Sequence, residues 1–309
     1  MKSIHEHMLE KGFFCLPTSS CFRPFTMLGC ASSPRLPVEL EREIFELSAS
    51  VCDSKGVSLT LVARRVQAWI EPLVYETLVL DSRKESQRIL DLANERPLGF
   101  LASIVRKVVL TNATYEPHSI LSLCSGATHV AMDEVACSDL LIPPVLASMT
   151  SIRHLTIAAG EMPECTLGLI YSPAPVFRGV THLTLLDYFH FEGDLLPFVA
   201  SLPALTHLAL YHPPLCQTTR RFLEVCTNLH VLVILADSEE DRLRKMAGNT
   251  SISDTTRVAI CVCKGWADGV TVPEGDPENY WTAAEQIIRR LGRDPYTYEI
   301  TFILLLGSR

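Results

Sequence analysis

The chain has 309 residues and a mass of 34.3 kDa, enough for two modules or one elongated array at about 150 residues per domain. Apolar residues make up 48% and charged residues 20% of it, so most of the chain is expected to fold. The 35 acidic residues outnumber the 27 basic ones, which argues against nucleic-acid partners. Apolar runs such as 231–236 and 302–306 have six and five residues and fall far short of the ~20 residues that span a bilayer.

The first 35 residues carry scattered proline and serine without an apolar period, and this pattern predicts a flexible leader over residues 1–35. The apolar stretch from Phe13 to Leu16 stops at Pro17, too early for the core of a signal peptide. We therefore expect an intracellular protein, cytoplasmic or nuclear. Its 11 cysteines are expected to be reduced and to serve as small buried apolar groups.

Residues 36–74 predict a helical head. Leu40, Ile44 and Leu47 recur at helical spacing after Pro37, so they predict an amphipathic helix that starts near this proline. A second helix is expected to begin at Ser58 as N-cap and to end near Pro72. Its predicted buried face comprises Leu59, Val62, Ala63, Val66 and Ile70.

Beyond Pro72 the sequence repeats an apolar-x-x-apolar-x-apolar pattern at intervals of 22 to 30 residues. The copies start at Tyr75, Val105, Ala127, Ile152, Val180, Leu205, Leu229 and Thr255. Helical signals fill many of the intervening segments, for example 85–95 and 239–246. A strand and a helical return in each unit predict an α/β solenoid, with one parallel sheet and outer helices.

The repeat resembles the leucine-rich repeat, most clearly in residues 152–157, 180–185 and 205–210. The resemblance covers residues 75–262. That family usually has Asn or Cys at the ninth position of each unit, where this chain has Val135, Gly160, Tyr188, Pro213 and Asp237. We therefore expect an irregular leucine-rich-repeat solenoid. Residues 263–309 should cap it with a helix over 277–291 and a last strand through Tyr298, Ile300 and Phe302.

The head resembles the F-box-like heads that precede leucine-rich repeats in many fungal proteins. The matching residues are Leu36-Pro37, Glu39-Leu40, Ile44-Phe45, Leu59, Val62, Arg64-Arg65 and residues 73–78. The resemblance implies docking to a small Skp-type adaptor of a cullin ubiquitin ligase. It places the adaptor contacts on Leu36, Pro37, Leu40, Ile44, Leu59 and Val62. A tryptophan commonly follows the Val-x-Arg-Arg run, but Val66 stands there and Trp69 comes three residues later. The alternative is a head that only caps the solenoid and binds no adaptor.

Four histidines, His129, His154, His182 and His207, occupy the third position of consecutive repeats. Strands of a parallel sheet lie ~4.8 Å apart, so these imidazoles should form a ladder on the concave face. Such a ladder could share a metal or repel when protonated. It could also be an inherited feature of the repeat without a function. No cysteine or carboxylate recurs beside the histidines, so we predict neither a metal site nor a catalytic residue.

The concave face is the predicted partner-binding surface. Its residues are His154, Thr156, His182, Thr184, Leu186, His207 and Tyr211. No Lys or Arg stands at the fifth or seventh position of the repeats from Ala127 to Leu229, which favours a protein or peptide over a phosphate backbone. The alternative is that the C-terminal segment folds over part of this face.

The sequence contains none of the common nucleotide-binding, hydrolase, zinc-protease or EF-hand motifs. We therefore expect a non-enzymatic interaction protein without a cofactor. On the family resemblance, it would recruit an unidentified protein substrate to a cullin ubiquitin ligase through a Skp-type adaptor, without nucleic-acid or membrane partners. Two alternatives stay open: a leucine-rich-repeat binding protein whose head is only a cap, and a metal-dependent enzyme that uses the histidine ladder.

Overall fold

The computed structural model describes residues 36–51, 56–111, 114–158, 177–186, 192–212, 216–248 and 256–291. The predicted leader and the predicted last strand lie outside these residues. The chain divides into two compact units between Glu76 and Thr77. None of the described helices combines the length and the apolar character needed to cross a bilayer.

The N-terminal unit contains three described helices: α1 (Val38–Val51), α2 (Gly56–Leu59) and α3 (Arg64–Val74). The start of α1 directly after Pro37 is as predicted. The predicted N-cap at Ser58 is wrong, because Ser58 lies within α2 and the chain then turns tightly, with the Leu61 amide donating to the Ser58 carbonyl at 3.2 Å. Two β-branched residues, Thr60 and Val62, fall in this turn, and such side chains lose rotamer freedom in a helix.

The second long helix of the head therefore starts later than predicted. Ala63 is extended, with φ −160° and ψ 153°, and α3 follows it. Val66 and Ile70 are buried as predicted, with exposed fractions of 1% and 0%. Val62 and Ala63 were expected to be buried, but both are exposed because they precede the helix.

The second unit is built on an eight-stranded parallel sheet whose strands follow one another in chain order. The strands are β1 (Thr77–Leu80), β2 (Lys107–Leu110), β3 (His129–Met132), β4 (His154–Ile157), β5 (His182–Leu185), β6 (His207–Leu210), β7 (Val231–Ala236) and β8 (Val258–Val262). Each strand begins at the third or fourth position of a predicted repeat. Equivalent positions pair across the sheet, as in Leu155 with Leu183 and Leu183 with Leu208. The predicted α/β sheet and its register are therefore confirmed.

The described helices of the second unit lie between successive strands, except for the last two, which follow β8. They are α4 (Arg83–Glu95), α5 (Phe100–Ile104), α6 (Pro117–Leu123), α7 (Glu134–Cys137), α8 (Ile142–Ser148), α9 (Glu192–Ala200), α10 (Cys216–Val225), α11 (Glu239–Gly248), α12 (Asp268–Thr271) and α13 (Tyr280–Leu291). Crossovers between parallel strands are right-handed. With sequential strand order, this handedness places the crossover helices on one face of the sheet.

The core lies between the sheet and these crossover helices. Side chains at the fourth and sixth positions of the repeats fill it, and from β2 to β7 each is at most 1% exposed. They are Val108, Leu110, Val130, Met132, Leu155, Ile157, Leu183, Leu185, Leu208, Leu210, Leu232 and Ile234. Because strand side chains alternate, the third, fifth and seventh positions lie on the opposite face, here called the histidine face.

Cysteines contribute to the core as predicted. Cys124, Cys137, Cys226, Cys261 and Cys263 are buried. Burial raises the pKa of the Cys124 and Cys261 thiols to about 12, so these thiols stay protonated and behave as apolar groups.

The predicted C-terminal helix begins at Tyr280, three residues later than expected, because Asn279 caps it. The Trp281 amide donates to Oδ1 of Asn279 at 3.0 Å, and Nδ2 of Asn279 donates to the carbonyl of Val272 at 2.8 Å. Helix α13 packs on β7 and β8, and α12 packs on β2 and β3. Residues 264–291 thus lie on the histidine face and are called the C-terminal cover below.

Candidate functional site

Most of the predicted adaptor contacts are exposed in the N-terminal unit. Leu36, Leu40, Ile44 and Val62 have exposed fractions of 57%, 47%, 51% and 60%. Pro37 is also exposed, and Leu59 is half-buried. The described part of this unit therefore leaves the side chains implied by the F-box resemblance available to a partner.

The exposed apolar side chains form a stripe along α1. Leu40, Ile44 and Leu47 are spaced by four and three residues, so they share one helix face, and Leu47 is 63% exposed. Scattered apolar residues are normal on a protein surface, whereas large contiguous apolar patches are typical of interaction sites. The polar side of α1 carries the Arg42–Glu46 ion pair at 2.6 Å.

In the second unit, the four histidines form a continuous stack across β3 to β6. The strand register pairs His129 with His154, His154 with His182, and His182 with His207. Their ring centroids lie 4.0, 4.0 and 4.1 Å apart, with interplanar angles of 25°, 7° and 12°. The predicted ladder is therefore present as a row of stacked imidazoles.

Threonine hydroxyls orient three of the four rings. The Nδ1 atoms of His129, His182 and His207 lie 2.9, 2.9 and 2.8 Å from the Oγ1 atom of the preceding threonine. Each of these threonine hydroxyls also lies 3.2 Å from a backbone carbonyl of the preceding repeat. His154 follows Arg153 instead, and its Nδ1 is buried without a hydrogen-bond partner among the described residues.

Burial keeps the stacked imidazoles neutral. Burial and the neighbouring imidazoles lower the pKa of His154 to about 2 and that of His182 to about 3. The pKa of His129 and that of His207 are also lowered by burial. Glu274 faces His129 and Glu285 faces His207. Each carboxylate raises the pKa of its histidine, but burial lowers that pKa by more.

Stacking makes charge on the row costly. Two unit charges 4 Å apart repel by about 4 kcal/mol at the effective dielectric near a protein surface. A cation–π contact returns about 2 kcal/mol when it is desolvated. Protonation of neighbouring rings is therefore unfavourable while the row stays covered.

The C-terminal cover is seated on this row through Tyr280 and Trp281. The Trp281 ring lies edge-to-face with His182 and His207, with centroid distances of 5.1 and 5.9 Å. Both faces of the His182 ring are occupied by its stacked neighbours, so its edge meets Trp281. The Tyr280 hydroxyl lies 2.9 Å from Oγ1 of Thr184, and both residues are buried.

Apolar contacts attach the cover at two places. Tyr280, Trp281 and Ala284 pack with the side chains of β6 to β8 on the histidine face, including Val231 and Val233. Farther along the sheet, Val270 packs with Val109 and Ala131. The cover therefore spans most of the sheet.

The predicted partner-binding residues lie beneath or beside this cover. The exposed fractions of His154, Thr156, Thr184 and Leu186 are 8%, 2%, 1% and 5%, and His182, His207 and Tyr211 are half-buried. These side chains are not an open surface, because the C-terminal segment occupies the histidine face. A partner would reach Thr156 or Thr184 only after the cover had left.

His129, His154 and Glu274 offer ligand atoms within 4.8 Å of one another. Oε1 of Glu274 lies 3.4 Å from Nε2 of each histidine. A metal binds in the plane of an imidazole, about 2.0–2.1 Å from its nitrogen. Two rings stacked 4.0 Å apart direct their lone pairs side by side, so one ion could not satisfy both without breaking the stack. Lys107, the next residue of the row, adds a positive charge.

A shallow cleft opens at the carboxyl ends of the strands, between Asp133, Leu186, Tyr211 and Trp266. The Tyr211 hydroxyl donates to Oδ1 of Asp237 at 2.6 Å. The cleft brings together two predicted partner-binding residues, Leu186 and Tyr211, with one residue of the cover.

Sequence reasoning missed the residues of the cover that complete this site: Glu274, Tyr280, Trp281 and Glu285. Tyr280 contacts Thr184, 96 residues away along the chain. The helical spacing of Tyr280, Ala284 and Ile287 shows that this helix buries one face. The spacing does not show against which surface of the protein this helix face packs.

Replacing Tyr280 by phenylalanine is expected to destabilise the protein by about 1–2 kcal/mol, because the buried Thr184 hydroxyl loses a partner. Urea denaturation of the Tyr280→Phe and Thr184→Val variants and of the double variant measures the coupling. A coupling of about 1 kcal/mol is expected. Fully additive effects would show that the hydroxyl contact contributes nothing to the seating of the cover.

The comparisons with known proteins add no family to this description. No model of a known protein family matches the chain, and no curated protein matches it either.

Proposed function

We propose that this chain is a non-enzymatic interaction protein whose F-box-like head docks on a Skp-type adaptor of a cullin ubiquitin ligase. The observation that carries the proposal is the exposed apolar stripe on α1. Leu40 and Ile44 belong both to this stripe and to the contacts implied by the family resemblance. An amphipathic helix that presents apolar side chains is suited to a hydrophobic groove on a partner.

In this role the protein supplies proximity. The second unit would hold a protein substrate while other subunits of the ligase deliver ubiquitin, so its contribution is effective concentration. Such a role needs neither a cofactor nor a catalytic side chain in this chain.

Co-purification with a Skp-type adaptor tests the proposal. The unmodified chain is expected to retain the adaptor. The Leu40→Ala/Ile44→Ala variant is expected to lose at least about tenfold in affinity, because each side chain would be buried at the interface and contribute about 1 kcal/mol or more to binding. The matched control is Leu98→Ala/Leu140→Ala. Those leucines are 104% and 66% exposed in the second unit, and their removal should leave adaptor binding unchanged.

Two results would contradict the docking role. The first is an unmodified chain that does not bind the adaptor, which would favour a purely structural head. The second is equal binding by the head variant and the control variant, which would place the adaptor contact elsewhere. Circular dichroism at neutral pH verifies that both variants fold.

A further inference from the structure

The C-terminal cover is held together by its own hydrogen bonds. Oδ2 of Asp268 accepts from the Lys264 and Gly265 amides at 2.8 Å each. The Gly275 amide donates to Oγ1 of Thr282 at 2.9 Å, and Asn279 links the start of α13 to Val272. These hydrogen bonds link segments of the cover to one another, and the contacts that seat the cover on the sheet are a separate set.

That seat lies on a histidine row whose two interior rings are kept uncharged by burial. The groups that face the row in the described structure are Lys107 on β2, His230 before β7, and Glu274 and Glu285 of the cover. Oε1 of Glu274 lies 3.4 Å from Nε2 of both His129 and His154, and Oε1 of Glu285 lies 3.4 Å from Nε2 of His207. These carboxylates favour a charge on the three rings. Lys107 and His230 oppose it. Among the described residues, no ion pair reaches His182.

We propose that the C-terminal cover is an acid-released lid, closed on the neutral histidine row and expelled when His154 and His182 become protonated. Departure of the lid would place these rings in water and uncover Thr156 and Thr184. The proposal does not depend on adaptor binding by the head, since every group that it uses belongs to the second unit.

The sign of the pH effect follows from which form binds protons. The pKa values of His154 and His182 are about 2 and about 3 under the cover, and an imidazole in water has a pKa near 6.5. As the pH falls below about 6.5, the open form takes up protons that the closed form cannot. Each such proton shifts the equilibrium by up to about tenfold per pH unit. Because the two rings still repel when both are charged, the two interior histidines together shift it by between about tenfold and about a hundredfold per pH unit.

Amide hydrogen exchange on the full-length protein tests the proposal. Protection factors, which correct for the intrinsic effect of pH on exchange, are measured at pH 7.5, 6.0 and 5.0 for α13 and for β5 and β6. A 12-residue helix is marginally stable in water once it has left the sheet. We therefore expect protection of α13 to fall by at least tenfold between pH 6.0 and pH 5.0 while that of β5 and β6 persists. The His154→Leu/His182→Leu variant should keep α13 protected at pH 5.0. The control variant His118→Leu removes a histidine outside the row and should respond to acid like the unmodified protein.

Each of the following results would overturn the proposal. Protection of α13 that does not change with pH would show that the row carries no acid response. Simultaneous loss of protection in α13, β5 and β6 would show global unfolding without a lid. An acid response in the double leucine variant equal to that of the unmodified protein would assign the response to other groups. If the double variant does not fold, the pH slope of the unmodified protein decides, because fewer than one proton taken up per opening contradicts the proposal.

Discussion

Replacing Leu183 by alanine is expected to lower the free energy of unfolding by about 2–5 kcal/mol. Leu183 is fully buried at the fourth position of its repeat and lies between Leu155 and Leu208 on the adjacent strands. Truncation removes apolar contacts and leaves a cavity. The strand is hydrogen-bonded to a neighbour on each side, so it cannot move to close this cavity. Urea denaturation at pH 7.5 measures the loss.

The equivalent change at Leu208, also fully buried, should cost a similar amount. Leu98→Ala is the matched control, because this leucine is 104% exposed and its truncation should change stability by no more than about 0.5 kcal/mol. A loss below about 1 kcal/mol for Leu183→Ala would contradict the close packing of this side chain between the sheet and the crossover helices.

The second large effect concerns a close approach between two repeats. A Cβ atom added at Gly126 would lie 2.0 Å from the carbonyl oxygen of Ala102, which belongs to the backbone of α5. The Gly126→Ala variant must therefore shift a backbone segment, and we expect a loss of about 3 kcal/mol, at the upper end of the range for overpacking. Thermal or urea unfolding measures this loss.

Gly179 is the matched control, because it also stands directly before the first position of a repeat. There an added Cβ would meet mainly Nη1 of Arg153 at 1.8 Å, the end of a flexible side chain that can rotate away. Gly179→Ala should cost less than about 1 kcal/mol. Equal losses at the two positions would mean that the α5 carbonyl does not constrain this turn.

The strand positions could be predicted because the repeat carries redundant information. Eight apolar patterns at similar intervals fix the register together, and the pairing of equivalent positions across β1 to β8 follows from them. The short helices α5, α6, α7 and α12 have four to seven residues. Segments of that length are too short to display a helical period.

In the head, the local apolar pattern does not predict where the helices begin and end. The apolar residues at Leu59, Val62 and Val66 fit one helical face, but the chain turns between α2 and α3. The two β-branched residues in the turn weaken the helix at that point. The turn between α2 and α3 leaves Val62 exposed, so this side chain adds to the apolar surface of the head.

The histidine ladder was visible in the sequence, whereas its environment was not. The shared third position predicts stacking across parallel strands. Burial by Trp281, 74 residues farther along the chain than His207, depends on tertiary packing. The neutral state of the row follows from that burial. For this reason the sequence alone left both an open partner surface and a covered one possible.

The covered face changes how substrate recruitment would operate. Thr156 and Thr184 are unavailable while Tyr280 and Trp281 occupy the face, so recruitment at neutral pH would use other surfaces such as the cleft beside Tyr211. Opening of the lid would add the histidine face to the available surface. The two units can therefore be tested separately, the head by adaptor binding and the lid by hydrogen exchange.

The most direct test of the proposed function is size-exclusion chromatography of the chain co-expressed with a Skp-type adaptor, with mass determined by light scattering. We predict one peak with the mass of a one-to-one complex, and its separation into two peaks in the Leu40→Ala/Ile44→Ala variant. Elution of the unmodified chain and the adaptor as two independent peaks would contradict the docking role.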